Sequence, residues 1–288
     1  IRKFILSVWC CCIIIIYGGV ITDRYSPRKL MSSALFLTAL GGLVLASYPS
    51  YQTLQILYGY WGFTSVFLFW GAMIKATRLW GGDNNQGKAF GFLDGGRGIV
   101  AASMGSIGVF VFTIVLTSDI ESASVLERQE AFRYVILLSS FMVAFIGLLV
   151  LIFLRNMEDK NTNFELPLNT LTNIKGVLKN ESIWLLMLII MCAYVGYKVT
   201  DIYSLYASEV MLYDQIEAAE VGALQLYLRP IVCIAIGLLA DRTKNMFWII
   251  FGFVTMLIGA LIFSFGIIKP DMNFIFFLSL VILAVGTY

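Results

Sequence analysis

The chain has 288 residues, 59% of them hydrophobic and 13% charged, with a mean hydropathy of +0.86. These values exclude a soluble domain and assign a membrane protein. The net charge of +2 says nothing about nucleic acid, its distribution reporting topology instead, and the absence of histidine excludes imidazole-based proton relays or metal sites in this chain.

A membrane-spanning helix needs about 20 largely apolar residues, and nine runs of roughly that length follow one another between short polar connectors. The first, Phe4–Val20, is too long and ends too polar for a signal peptide. It carries Cys10, Cys11 and Cys12, which lie about 100° apart on a helix and so cannot offer three thiolates to one metal; with Cys192 and Cys233 they read as small packing residues. The second and third runs are Lys29–Tyr48 and Thr53–Thr77. Lys75, near one end of the third, snorkels to the membrane surface.

The fourth run, Lys88–Leu116, repeats small residues at three- or four-residue steps: Gly87, Gly91, Gly95, Gly98, Ala102 and Gly105. Such a stripe lets another helix backbone approach closely. It is no phosphate-cradling loop, because no strand precedes it and the glycines continue through an apolar helix. Asp94 and Arg97 share one face of this run, three residues apart. The fifth run is Phe132–Leu154; the sixth, Ile183–Tyr206, holds a second such pair, Lys198 and Asp201. Each pair either neutralises itself or serves substrate binding and ion coupling. Between these two runs lies the longest polar segment, Arg155–Ser182. Leu168, Leu171, Ile174, Val177 and Leu178 recur there at helical spacing, which suits a surface helix or a partly disordered linker.

The seventh run, Ala218–Ala240, carries Arg229 near its middle with no carboxylate within a turn. A buried guanidinium demands an anion, either a substrate or a carboxylate from another helix. The last two runs are Asn245–Ile267 and Asn273–Tyr288. Because the chain starts at Ile1 and stops within an apolar run, the expectation is a fragment of a longer protein. Aromatic residues in these runs, Tyr58, Trp61 and Trp70 in the third and Tyr194, Tyr197 and Tyr203 in the sixth, read as walls of a solute cavity or as packing and interface residues.

Orientation follows from lysine and arginine, which concentrate in short cytoplasmic loops. Arg24, Arg28 and Lys29 follow the first run; Lys75, Arg78 and Lys88 flank the third connection; Arg155, Lys160, Lys175 and Lys179 follow the fifth run, and Arg242 and Lys244 the seventh. These four connections are expected in the cytoplasm, and the neutral or acidic ones between them outside.

One element occurs twice. Gly19-x-x-x-Asp23-Arg24 closes the first run and Gly237-x-x-x-Asp241-Arg242 the seventh, and the same offset carries Gly41 onto Gly259. That is an internal repeat of half-protein size, an architecture of secondary transporters. The full first copy, Gly19-x-Ile21-x-Asp23-Arg24-Tyr25-Ser26-Pro27-Arg28-Lys29, resembles the signature loop of the major facilitator superfamily between its second and third helices. The second, Gly237-x-Leu239-x-Asp241-Arg242, resembles the degenerate copy between helices eight and nine. The first copy departs from the family pattern at Ser26, where glycine is usual, followed by Pro27.

The resemblance implies an all-α, polytopic transmembrane bundle of two pseudo-repeated halves, incomplete at both ends, its nine spans being family helices two to ten. Residues 1–154 would form the first half, 155–182 a cytoplasmic linker and 183–288 the second half. It implies a monomeric, multi-pass protein of the inner or plasma membrane, without cofactor or metal, that moves a small solute by alternating access. The charges at Arg97, Lys198 and Arg229, with Tyr194 and Tyr197, are the candidate substrate contacts, and Asp94 and Asp201 the candidate ion-coupling groups. Three basic groups against two acids favour an organic anion, moved with protons as symporters do. A transporter-like receptor that binds solute without moving it is the alternative. Gly19, Asp23, Arg24, Arg28, Gly237, Asp241 and Arg242 form the gating motif. Its first Asp is expected to meet helix eleven, and Asp241 the start of the fourth span around Gln86–Gly91, where free backbone N–H groups attract a carboxylate.

Overall fold

The computed structural model of the chain describes residues 21–22, 25–115, 124–154, 176, 179–243 and 245–288. The first expected span, the Cys10–Cys12 run, Gly19, Asp23, Arg24 and most of the linker lie outside the described residues. All regular structure among the described residues is helical. Among the described residues six helices are long and apolar enough to cross a membrane: Pro27–Ala46, Gln86–Val115, Val125–Phe153, Glu181–Glu209, Glu220–Ala240 and Met246–Ser264. A shorter apolar helix, Asn273–Thr287, ends the chain. The expected third span is a helix in three consecutive parts. Trp184, Leu185, Leu186, Met187 and Leu188 are all exposed on successive positions, so this helix is apolar around its circumference, as lipid contact requires. The chain is thus a multi-pass integral membrane protein.

Two compact units divide it: Ile1–Trp80 with Ser103–Lys160, and Gly81–Ala102 with Asn161–Tyr288. In the first unit α1 (Pro27–Ala46) starts on Pro27, whose fixed φ suits a first helical turn. It continues through the buried small residues Ser32, Ala34, Ala39, Gly41, Gly42 and Ala46. Of these, Ser32 and Gly42 face α5 (Val125–Phe153), and Gly41 faces Trp61. A Cβ on Gly42 would collide with the Ser140 hydroxyl, and buried Ser32 Oγ donates to the Gly147 carbonyl at 2.9 Å. The start of α5 is fixed by a capping box, Ser124 and Glu127 each satisfying the other's backbone amide. Ser124→Ala should lower stability by about 0.5–2 kcal/mol, measured as faster amide exchange in the first turn of α5.

Between them runs α2 (Tyr51–Gly62), a π-helical stretch Phe63–Trp70 and α3 (Gly71–Gly81). The widening has a local cause. Thr64 Oγ1 and Ser65 Oγ both donate to the Trp61 carbonyl, at 3.3 and 2.5 Å, and so compete with the amide that would close an ordinary α-turn there. Across the seam Trp61 Nε1 donates to the Thr38 carbonyl at 3.1 Å, Tyr60 to the Leu37 carbonyl at 2.6 Å, and Thr38 to Thr64 at 3.0 Å. Trp61 and Tyr60 thus tie α2 to α1 rather than presenting their polar edges to a solute.

The second unit contains the first part of α4 (Gln86–Val115), then α6 (Glu181–Val199), a 3₁₀ turn Thr200–Ile202, α7 (Tyr203–Glu209), α8 (Gln215–Ala240), α9 (Asn245–Ser264) and α10 (Asn273–Thr287). Its core gathers Tyr203, Ala207, Met211, Val221, Phe276 and Leu280, with Tyr206 and Phe263 packed against it. Gly259 and Gly286 close the α9–α10 contact, where a Cβ on Gly259 would lie 2.9 Å from that of Leu283.

Candidate functional site

The site rests on how closely α4 and α8 approach. Gly87, Gly91, Gly95 and Gly98 all face α8: a Cβ on Gly91 would lie 2.5 Å from the Cys233 carbonyl oxygen and 3.0 Å from Gly237 Cα. On Gly98 it would lie 2.9 Å from the ring of Pro230, the proline within α8. Gly96 and Gly105 have nothing within 4 Å in the same test. From Gly87 to Gly98 the glycine stripe read from the sequence is therefore a contact face, where the backbones meet because no side chains intervene, and Gly105, its last member, lies outside that contact.

That contact brings together charges far apart in sequence. Arg229 Nη2 on α8 lies 3.0 Å from Asp94 Oδ1 on α4, and Arg97 Nη1 lies 2.8 Å from the same oxygen. Of the two possibilities the sequence leaves for Arg229, a carboxylate from another helix is present. Two guanidiniums thus share one carboxylate oxygen. The Arg229 side chain is 14% exposed, against 39% for Arg97 and 41% for Asp94. So deep a guanidinium is costly to hold without hydrogen bonds and counter-charge.

Aromatic rings cover it. The Arg229 guanidinium carbon lies 5.6 Å from the Tyr197 ring centroid and 5.4 Å from that of Tyr288, within cation–π reach of both. Its Nη1 donates to the Tyr197 hydroxyl at 3.3 Å. The two rings meet edge to face at 6.1 Å, and Tyr194 lies 6.0 Å from Tyr197. Arg229 Nε is buried with no hydrogen-bond partner among the described residues. A buried N–H left unsatisfied carries a cost of about 1–3 kcal/mol, which an added acceptor relieves.

Lys198 and Asp201 pair with each other at 2.8 Å where α6 passes into the 3₁₀ turn, each side chain about half exposed. Two contributors were missed from the sequence. Tyr288 holds the second face of Arg229, and the Cys233 thiol donates to the Tyr288 carbonyl at 3.8 Å. Nothing in the local pattern of either residue marks it, since both act only through the α6–α8–α10 arrangement.

Asp241, just beyond α8, stands at the start of α4, where the family resemblance leads one to expect it. Its Oδ1 accepts from the Gly87 amide at 2.6 Å and its Oδ2 from the Lys88 amide at 2.7 Å. Both donors belong to the first turn, whose amides have no partner within the helix, and the helix dipole adds to the attraction. Gly87 is needed here, because a Cβ would sit 2.8 Å from Asp241 Oδ1. Gly237 faces Gly91 across the same seam, Arg242 follows in the turn after α8, and Arg28 lies in the first turn of α1.

Comparison with known proteins agrees with this architecture. Over 223 residues the chain is 27% identical to the inner membrane protein YqcE of Escherichia coli K12, covering 76% of this chain and 50% of that protein. It is 26% identical over 178 residues to the inner membrane protein YihN of the same organism, covering 61% and 40%. An uncharacterized MG294 homolog of Mycoplasma pneumoniae is 25% identical over 251 residues, covering 79% and 51%. The chain therefore spans about half the length of the curated relatives it matches. Residues 4–288 match the model of the Major Facilitator Superfamily, and with that match over nearly the whole length, on an all-helical membrane-spanning fold, the chain belongs to this family of membrane transporters.

Proposed function

We propose that the protein is a secondary active transporter of the inner membrane, the location named for its two Escherichia coli relatives, and that it carries a small organic anion by alternating access. The observation that carries this reading is Arg229: deep, flanked by two tyrosine rings, with a buried N–H left over. A carboxylate entering this cluster would meet Arg229 and Arg97 as charge-assisted donors, with the Tyr197 hydroxyl beside them. Tyr194 extends the aromatic wall.

Of the two candidate coupling carboxylates, Asp201 has one cationic partner and is half exposed, and it is the one assigned to coupling. Asp94 gives one oxygen to two guanidiniums and suits a fixed counter-charge. Asp201→Asn should abolish accumulation driven by a pH gradient and leave counterflow exchange intact; full gradient-driven accumulation would remove Asp201 from the coupling scheme. Asp241, on the cytoplasmic side by the lysine and arginine distribution, acts as a latch released during the transport cycle. Asp241→Ala should weaken the closed state by about 0.3–2 kcal/mol and change turnover more than substrate affinity.

The test of the reading is uptake into proteoliposomes by the full-length protein over organic anions, neutral sugars and organic cations. Accumulation of one or more anions is expected. Uptake confined to neutral or cationic solutes would overturn it.

A further inference from the structure

Tyr203 opens α7 in the core of the second unit, 3% exposed, its ring stacked on that of Phe263 at 6.4 Å between centroids and clustered with Ala207, Met211 and Phe276. A phenylalanine would make the same apolar contacts. The hydroxyl that tyrosine adds is buried and has no hydrogen-bond partner among the described residues. Buried polar side-chain atoms almost always have a partner, and one left without it destabilises the fold. Stability of the resting core therefore does not account for this hydroxyl.

Its place beside Arg229 does. Thr200, 1% exposed, donates to the Tyr197 carbonyl at 2.8 Å and meets the Tyr288 side chain, and Tyr288 lies within electrostatic range of Tyr203. The 3₁₀ turn Thr200–Ile202 overwinds the chain by roughly 60° relative to an α-helix, which swings Tyr203 toward the side of α6 that carries Tyr197. Tyr288 is also the ring that lies over Arg229. Two buried donors without partners among the described residues, Arg229 Nε and the Tyr203 hydroxyl, thus border one aromatic side chain. We infer that Tyr203 is a second recognition point of the Arg229 site, and that the transported anion carries a hydroxyl or equivalent hydrogen-bonding group besides its acid group, as a hydroxy acid does. The inference rests on the anion reading above. A solute that moves the Tyr288 ring aside reaches both donors together, its acid group at Arg229 and its hydroxyl at Tyr203, whose own hydroxyl can donate or accept. An anion with a plain hydrocarbon body satisfies Arg229 and leaves Tyr203 unpartnered, which a hydrogen-bonding site penalises.

The test titrates charge-matched pairs, lactate with propionate, mandelate with phenylacetate and gluconate with hexanoate, into the purified full-length protein at pH 7. In the wild type the tightest binder is expected to be a hydroxylated anion, favoured over its deoxy twin by roughly tenfold or more. Tyr203→Phe should lower that ratio by roughly tenfold, with the twin bound as in the wild type and an unfolding temperature equal or higher. Tyr206→Phe, which takes a hydroxyl from a ring packed on the same core, should keep the wild-type ratio. An unmoved ratio in Tyr203→Phe, an equal fall in Tyr206→Phe, or a deoxy twin bound as tightly by the wild type overturns the inference and leaves the anion reading standing. A lower unfolding temperature in Tyr203→Phe overturns it too, because the hydroxyl would then serve the resting fold. Wild-type protein that binds none of the six overturns the anion reading, and this inference with it.

Discussion

Arg229→Ala should abolish anion uptake while the protein still inserts and purifies as the wild type does. Arg229 is the least exposed charge of its cluster and joins α8 to Asp94 on α4 and to Tyr197 on α6. Removing it deletes the charge-assisted donors offered to substrate and takes from Asp94 its partner on α8, leaving the pair with Arg97. Truncating one partner of a buried, hydrogen-bonded charge pair costs about 2–5 kcal/mol, or roughly thirtyfold to several thousandfold in affinity. Arg229→Lys keeps the charge but loses the planar fork and its stacking between tyrosines. Its half-saturating concentration should rise by roughly tenfold, with maximal rate less affected. Wild-type uptake by the alanine variant would remove Arg229 from substrate binding.

The second large effect is expected at Gly91. Its Cβ would press on the backbone of α8, at the Cys233 carbonyl and Gly237 Cα, and backbone cannot rotate aside as a side chain can. Gly91→Val must therefore push α4 from α8, at about 1–3 kcal/mol for overpacking. The displacement would carry Asp94 away from Arg229 and the Gly87 and Lys88 amides away from Asp241. A lower unfolding temperature and loss of uptake should appear together. Gly96→Ala, five positions along the same helix and open to at least 4 Å, should leave both unchanged. Equal behaviour of the two variants would show that the seam does not position the site.

The helices were legible in the sequence because lipid imposes a length and a composition, and the run read as Phe132–Leu154 coincides with most of the helix Val125–Phe153. The α4–α8 seam was legible in part: glycines at helical spacing announce a contact face, and the family resemblance placed Asp241 around Gln86–Gly91, where it meets the Gly87 and Lys88 amides. The π stretch was not, since it depends on two hydroxyls choosing the Trp61 carbonyl over other acceptors. For Arg229 the sequence showed a need and not its answer. The lack of a carboxylate within a turn called for a distant anion, but Asp94 already had Arg97 three residues away, and sharing one oxygen between both appears only when α4 and α8 are packed. Tyr288 was invisible for the same reason: a tyrosine closing an apolar run looks like any interfacial ring until the fold sets it on a guanidinium.

The central claim is that an organic anion binds at Arg229, and calorimetric titration of the transported anion into wild-type and Arg229→Ala full-length protein tests it most directly. One saturable site in the wild type and no measurable binding in the variant is the predicted result. The same affinity in both proteins would contradict it.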